Sequence, residues 1–303
     1  MQWCLKKNTN QAFTLVELSV VLVILSILVS AIIGITRFRN IGVAQSIATE
    51  AFQLKQSVAA FYATYQYLPG DYPYAWNAFS KTSLQNTPLL NISQSEISSQ
   101  FISGDGNGKI SHTIQVVTVK PEQDTNGQTI EKKVYQSESY GVWAHLSASG
   151  YLNYPYSNFC STIDNSLNCS KPGFNLPGSK RYNGSMIGYM IHNPTSTTTH
   201  GALLNSSNPS NIINKNVIEM IDFTEQETAN GRGKFGGTTP EIAQTIDTKF
   251  DDSNPFTGEI FSLNGENQQC HTATDNQTYT NNIYYNKDSI STSCILIYAM
   301  REF

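Results

Sequence analysis

Two short stretches of this 303-residue chain carry oxygen donors at spacings that suit a hard cation. In Ser103-Gly104-Asp105-Gly106-Asn107-Gly108-Lys109-Ile110, polar side chains recur two residues apart, with glycine at the bend and an isoleucine after it. That resembles the middle of a calcium loop, though the match is incomplete. Ser103 stands where the first ligand would be, and Ile114 replaces the closing glutamate. The second stretch places Asp247, Asp251 and Asp252 close together just before an Asn-Pro turn. Asp105, Asn107, Asp247, Asp251 and Asp252 are therefore candidate calcium ligands, and no other cofactor is expected. Each stretch also has a plainer reading, a glycine-rich turn in one case and a helix end with solvated carboxylates in the other. Asp71, in Leu68-Pro69-Gly70-Asp71, reads as a turn former.

The cysteines give the next chemistry. Cys4 lies close to the N-terminus, and Cys160, Cys169, Cys270 and Cys294 make an even set. An exported domain would oxidise them. Cys160–Cys169 and Cys270–Cys294 are the expected pairs, because each closes a short polar loop. A four-cysteine zinc site is the alternative, but no C-x-x-C spacing supports it. The five histidines are scattered, without H-E-x-x-H spacing, and no catalytic set stands out. Gly231-Arg232-Gly233-Lys234 is not a phosphate loop, since its spacing is wrong and no Ser or Thr follows the lysine.

One further carboxylate is placed unusually. Residues 18–35 contain no charged side chain, and a membrane span needs roughly 20 mostly apolar residues. Glu17 sits at the lip of that run; a carboxylate inside a membrane segment costs about 2.5–3.5 kcal/mol on insertion scales and usually has a partner. Lys6 and Lys7 precede it, so the leader is expected to stay in the cytoplasm and the remainder to be translocated. Arg37 and Arg39 should lie just past the outer side.

Ala12-Phe13-Thr14-Leu15-Val16-Glu17-Leu18, behind a short basic leader, resembles the N-terminal cleavage and methylation motif of type IV prepilins and type II secretion pseudopilins. The resemblance implies cleavage between Ala12 and Phe13 and N-methylation of the new Phe13 amine, with Glu17 fifth in the mature chain. The family usually has Gly before the cut, and here Ala12 takes its place. In a bundle of such helices, Glu17 of one subunit can pair with the Phe13 amine of a neighbour and set the axial register. The Leu-Pro-Gly-Asp turn and the segment 246–252 are similar to stretches of pseudopilin-like proteins. The family relation further implies a prepilin peptidase, other pilin or pseudopilin subunits, an assembly platform membrane protein and an ATPase as partners, along with membrane lipid. The expected product is a helical filament, either a secretion pseudopilus or a pilus. A net charge of −4 and the lack of a basic run give no reason to expect nucleic acid.

These residues need elements to carry them. Residues 1–12 read as a leader, 13–36 as the membrane or filament-core helix, 37–66 as an amphipathic spine and 67–303 as a globular head. In the spine, Ala44, Ile47, Ala51, Leu54, Val58, Phe61 and Tyr65 recur at three- and four-residue steps, which makes one helical face. Gln45, Glu50, Gln53 and Lys55 fall elsewhere around it. Pro69-Gly70 ends the helix. Runs 113–120 and 129–136 predict a hairpin, 138–149 a short helix capped by Gly150, and 185–192 with 197–204 a second hairpin. Residues 216–228 read as weakly helical. Thr239-Pro240 opens a helix, and 259–263 and 294–300 read as strands. The expected fold is α+β and pilin-like, a long N-terminal helix laid on an antiparallel sheet. The expected location is the bacterial inner membrane, single-pass, with the head in the periplasm. The rival reading is a single-pass membrane-anchored periplasmic binding module, which would keep residues 1–12 and have no need of Glu17. An enzyme is not expected.

Overall fold

A computed structural model describes residues 14–79, 103–113, 115–123, 126–127, 129–154, 156, 159–161, 170–182, 185–194, 215–226, 233–272 and 283–300. The expected strand at 197–204 lies outside these residues. The chain divides into two units, Met1–Gly42 and Val43–Phe303.

The first unit holds the N-terminal part of α1 (Leu15–Tyr65). Leu15–Ile32 is long and apolar enough to cross a membrane, with none of it buried. Its few hydroxyls are satisfied within the helix. Ser19, Ser26 and Ser30 each donate to a carbonyl one turn back, at 2.8 Å. That local pairing is what an apolar surrounding demands of polar atoms.

In the second unit, the rest of α1 buries Val43, Ala44, Ile47, Ala48, Ala51, Leu54, Val58 and Phe61. Their three- and four-residue spacing keeps them on one side of the helix. They meet an antiparallel sheet ordered β4 (Ile187–His192), β5 (Val217–Gln226), β8 (Cys294–Ala299), β7 (Ile260–Asn264). A short β6 (Gly233–Gly236) continues along the edge of β5 that β8 occupies further down. Phe52 of α1 meets Tyr298 of β8 at 6.3 Å between ring centroids.

Residues 216–228 are thus mostly a strand, not a weak helix. β5 is paired on both edges, and Val217, Ile218, Met220, Ile221 and Phe223 are all buried. A strand covered on both faces shows no alternation, and Glu219 within it gives a helix-like polarity. β4 pairs along its length with β5.

Helix α4 (Pro240–Phe250) starts where the sequence placed it. The Thr239 hydroxyl accepts from the Ile242 N–H, Pro240 occupies the first turn, and Ile242, Ala243 and Ile246 are buried. The helix α3 (Glu138–Ala148) is capped by Ser137 and ends before Gly150, whose φ is +82°. A short α2 (Ala75–Phe79) precedes it. The remaining sheet is β1 (Gln115–Gln123), β2 (Thr129–Gln136) and β3 (Phe159–Ser161), all antiparallel. Its first two strands are the expected hairpin, longer than read because β1 runs past Pro121 through an irregularity between Val119 and Glu122. Proline has no N–H for a ladder, and a bulge tolerates it. Cys270 and Cys294 are joined in a buried disulfide, Cα–Cα 4.8 Å. Cys160 lies in β3, and Cys169 is outside the described residues. The chain is α+β, an apolar N-terminal helix followed by a helical and antiparallel-sheet region consistent with pilin-like architecture.

Candidate functional site

Helix α1 begins with a reciprocal cap. Glu17 Oε2 accepts from the Thr14 N–H and the Thr14 hydroxyl, both at 2.9 Å, and Thr14 Oγ1 accepts from the Glu17 N–H at 3.2 Å. Thr-x-x-Glu is a capping box. Within a single chain Glu17 thus has hydrogen-bond partners through Oε2. Ala12 and Phe13 lie outside the described residues.

The loop at 103–110 wraps around a carboxylate from elsewhere. Asp71, almost fully buried, accepts from the N–H groups of Gly106 (2.6 Å), Asn107 (3.1 Å) and Gly108 (2.7 Å). Two glycines make that approach close. A Cβ on Gly104 would stand 2.3 Å from the Asp71 Cα, and one on Gly70 would stand 2.4 Å from the Glu138 carbonyl oxygen. The other side is closed by α3, where Glu138 accepts from the N–H groups of Ser111 (2.7 Å) and Asp105 (3.2 Å). Asp105 and Asn107 bond each other, Nδ2 to Oδ2 at 2.7 Å. The loop is tied to the larger sheet by Asn216, whose side chain bonds Gly108 and Ile110, and by Asn193.

Asp71, Asp105 and Glu138 each place one oxygen within 4.8 Å of the others. Burial pushes Asp71 up to about 6 against the pull of the loop N–H groups. Burial likewise pushes Glu138 up to about 7, again opposed by N–H donors. The donor set is all oxygen and rich in acid, the type a hard cation takes. Near neutral pH the same set also takes up protons. Asp105 and Asn107 are the site residues that sequence spacing points to; Asp71 reads there as a turn residue, and only the packing of α3 brings in Glu138.

The second cluster, Asp247, Asp251 and Asp252, also brings three oxygens within 4.8 Å. Each carboxylate has a structural partner. Asp247 is fully buried and accepts from the Tyr285 hydroxyl (2.7 Å) and the Ser253 N–H (3.0 Å). Asp251 accepts from the N–H groups of Glu259 and Ile260, both at 2.7 Å. Asp252 accepts from the Asn254 N–H and the Thr257 hydroxyl. Burial pushes Asp247 up to about 6, and the Tyr285 hydroxyl moderates the rise.

Two buried polar contacts were not legible in the sequence. Glu50, placed off the apolar face of the spine, is 8% exposed and accepts from Tyr189 and Ser179 hydroxyls. Two of the scattered histidines also draw together. His192 Nε2 lies 2.9 Å from Glu219 Oε1, both side chains fully buried, and the His112 ring is 6.1 Å from that of His192. Both histidines are buried, His112 at 5% exposure and His192 fully, and read as core groups. No signal in the sequence pairs them, because β4 and β5 are joined across more than twenty residues.

The prokaryotic N-terminal methylation motif matches residues 7–33. No curated protein and no solved structure matches the chain. That stretch contains the residues around the Ala12–Phe13 bond, the capping box and the exposed apolar turns that follow it. The chain carries the prepilin-type methylation motif found in pilins and pseudopilins.

Proposed function

We propose that this chain is a structural subunit of a type II secretion pseudopilus or a type IV pilus. It waits in the bacterial inner membrane with its head in the periplasm. A prepilin peptidase cuts between Ala12 and Phe13 and methylates the new amine. Other subunits, a platform membrane protein and an ATPase then draw it into a helical filament. The observation that carries this reading is the methylation motif at residues 7–33 running directly into an apolar helix with none of Leu15–Ile32 buried. Such a surface needs lipid or other helices around it.

Glu17 has a role in that assembly. In an apolar bundle its carboxylate exchanges part of its cap for the Phe13 amine of a neighbouring subunit. A charge pair in low dielectric is strong when complete and costly when one partner is missing. Shearing cells that express the protein with its assembly machinery, then pelleting fibres, tests this. The wild type is expected in the fibre fraction and Glu17→Ala depleted from it by tenfold or more. Equal recovery of the two would contradict the role given to Glu17.

A further inference from the structure

The run of residues 18–35 rises about 27 Å as a helix, close to the roughly 30 Å hydrocarbon core of a bilayer. Arg39 follows four residues later, about 6 Å further along the axis. That depth falls in the headgroup layer, about 5–7 Å thick on each side. Arg39 is exposed, and Phe38 beside it is 77% exposed. A planar cation with fork-like donors suits phosphate oxygens. An exposed aromatic next to it suits the boundary between headgroups and acyl chains.

We propose that Arg39, with Phe38, is a headgroup anchor that binds the phosphate of an anionic phospholipid in the leaflet at the C-terminal end of the span. The proposal rests on the membrane reading of α1 given above. It has a consequence for processing. Lys6 and Lys7 lie before the cut, and Arg37 and Arg39 lie after the span, so the uncut chain carries cations for both leaflets. Cleavage strips the inner pair. Arg39 then remains to set the depth of the waiting helix, and extraction into a filament has to release its lipid.

The test uses the full chain, cut and uncut, reconstituted in equal parts phosphatidylcholine and phosphatidylglycerol. Native mass spectrometry after release into mild detergent counts the lipids retained. One basic residue near an anionic surface is worth about a fivefold preference. The cut wild type is expected to retain phosphatidylglycerol over phosphatidylcholine about fivefold more than Arg39→Gln, and Arg39→Lys is expected to keep most of the preference. An unchanged ratio in Arg39→Gln overturns the proposal. Depth is read separately by placing a benzoylphenylalanine photocrosslinker at position 38. A mass shift of one phospholipid is expected, and crosslinks to water-soluble species alone overturn the proposal. If cells never cut the chain, the filament reading fails. Arg39 is still tested in uncut chain carrying Lys6→Gln and Lys7→Gln.

Discussion

Glu50 of the spine helix accepts a hydrogen bond from the Tyr189 hydroxyl of β4 at 2.8 Å, across 139 residues of sequence. Ser179 donates to the same oxygen at 3.0 Å. The contact fixes how the spine half of α1 sits on the sheet, because an unpaired buried carboxylate is far costlier than a paired one.

Removing the Tyr189 hydroxyl should therefore loosen that seat without unfolding the head. A hydrogen bond to a charged group contributes about 1.5–3 kcal/mol. Tyr189→Phe is expected to lower the melting temperature of the chain by several degrees, and Glu50→Gln by less, since an amide still accepts. Calorimetry of the purified variants measures both. Equal melting temperatures for Tyr189→Phe and wild type would show that the contact does not hold the spine.

The His192–Glu219 pair lies on the other face of the same sheet. Tyr189 faces α1, so His192, three residues on along β4, points away from it. Taking one member from a buried pair costs about 3–5 kcal/mol. Glu219→Ala is expected to lose that much in urea unfolding, whereas replacing both, His192→Leu with Glu219→Met, is expected to recover most of it. A double variant as unstable as the single would mean that the cost is lost packing, not a buried polar group left without its partner.

Acid should stabilise the head over a defined range. Asp71 and Asp247 are pushed up to about 6 and Glu138 to about 7, from ordinary values of 3.8, 3.8 and 4.5. The folded chain therefore holds protons between these limits that the unfolded chain has released, and stability falls as pH rises. Unfolding measured in EDTA is expected to become harder as pH drops from 7.5 to 5, with the gain complete only once pH lies below the ordinary values of 3.8 and 4.5. Asp71→Asn with Glu138→Gln is expected to flatten the slope. Stability that rises with pH across 5–7 would mean that burial does not govern these acids.

Gly104 allows the loop to reach Asp71. A Cβ there would sit 2.3 Å from the Asp71 Cα, against backbone that cannot swing aside. Gly104→Ala is expected to cost about 1–3 kcal/mol from overpacking, and Gly108→Ala less, since open space surrounds its Cβ position and only its φ of +81° opposes it. Paired unfolding curves rank the two, and the reverse order would contradict the close approach.

How much of this was readable from the residues varies by element. Helix α1 and its buried face followed from spacing, and Thr239-Pro240 placed the start of α4, because caps and periodicity are local. β5 did not follow, since a strand buried on both faces loses the alternation that identifies strands. The Asp71 cluster was half legible. Asp105 and Asn107 announce a loop by their own spacing, but Glu138 joins only through tertiary packing. Glu50 and the His192–Glu219 pair carry no local signal at all, since their partners come from distant strands.

The central claim is that this is a prepilin-type subunit. Mass spectrometry of the N-terminal peptide of the membrane-extracted protein, from cells with and without prepilin peptidase, tests it most directly. The account predicts a peptide beginning at N-methylated Phe13 when the peptidase is present and at Met1 when it is absent. A peptide beginning at Met1 in both would contradict the account and favour a simple membrane anchor.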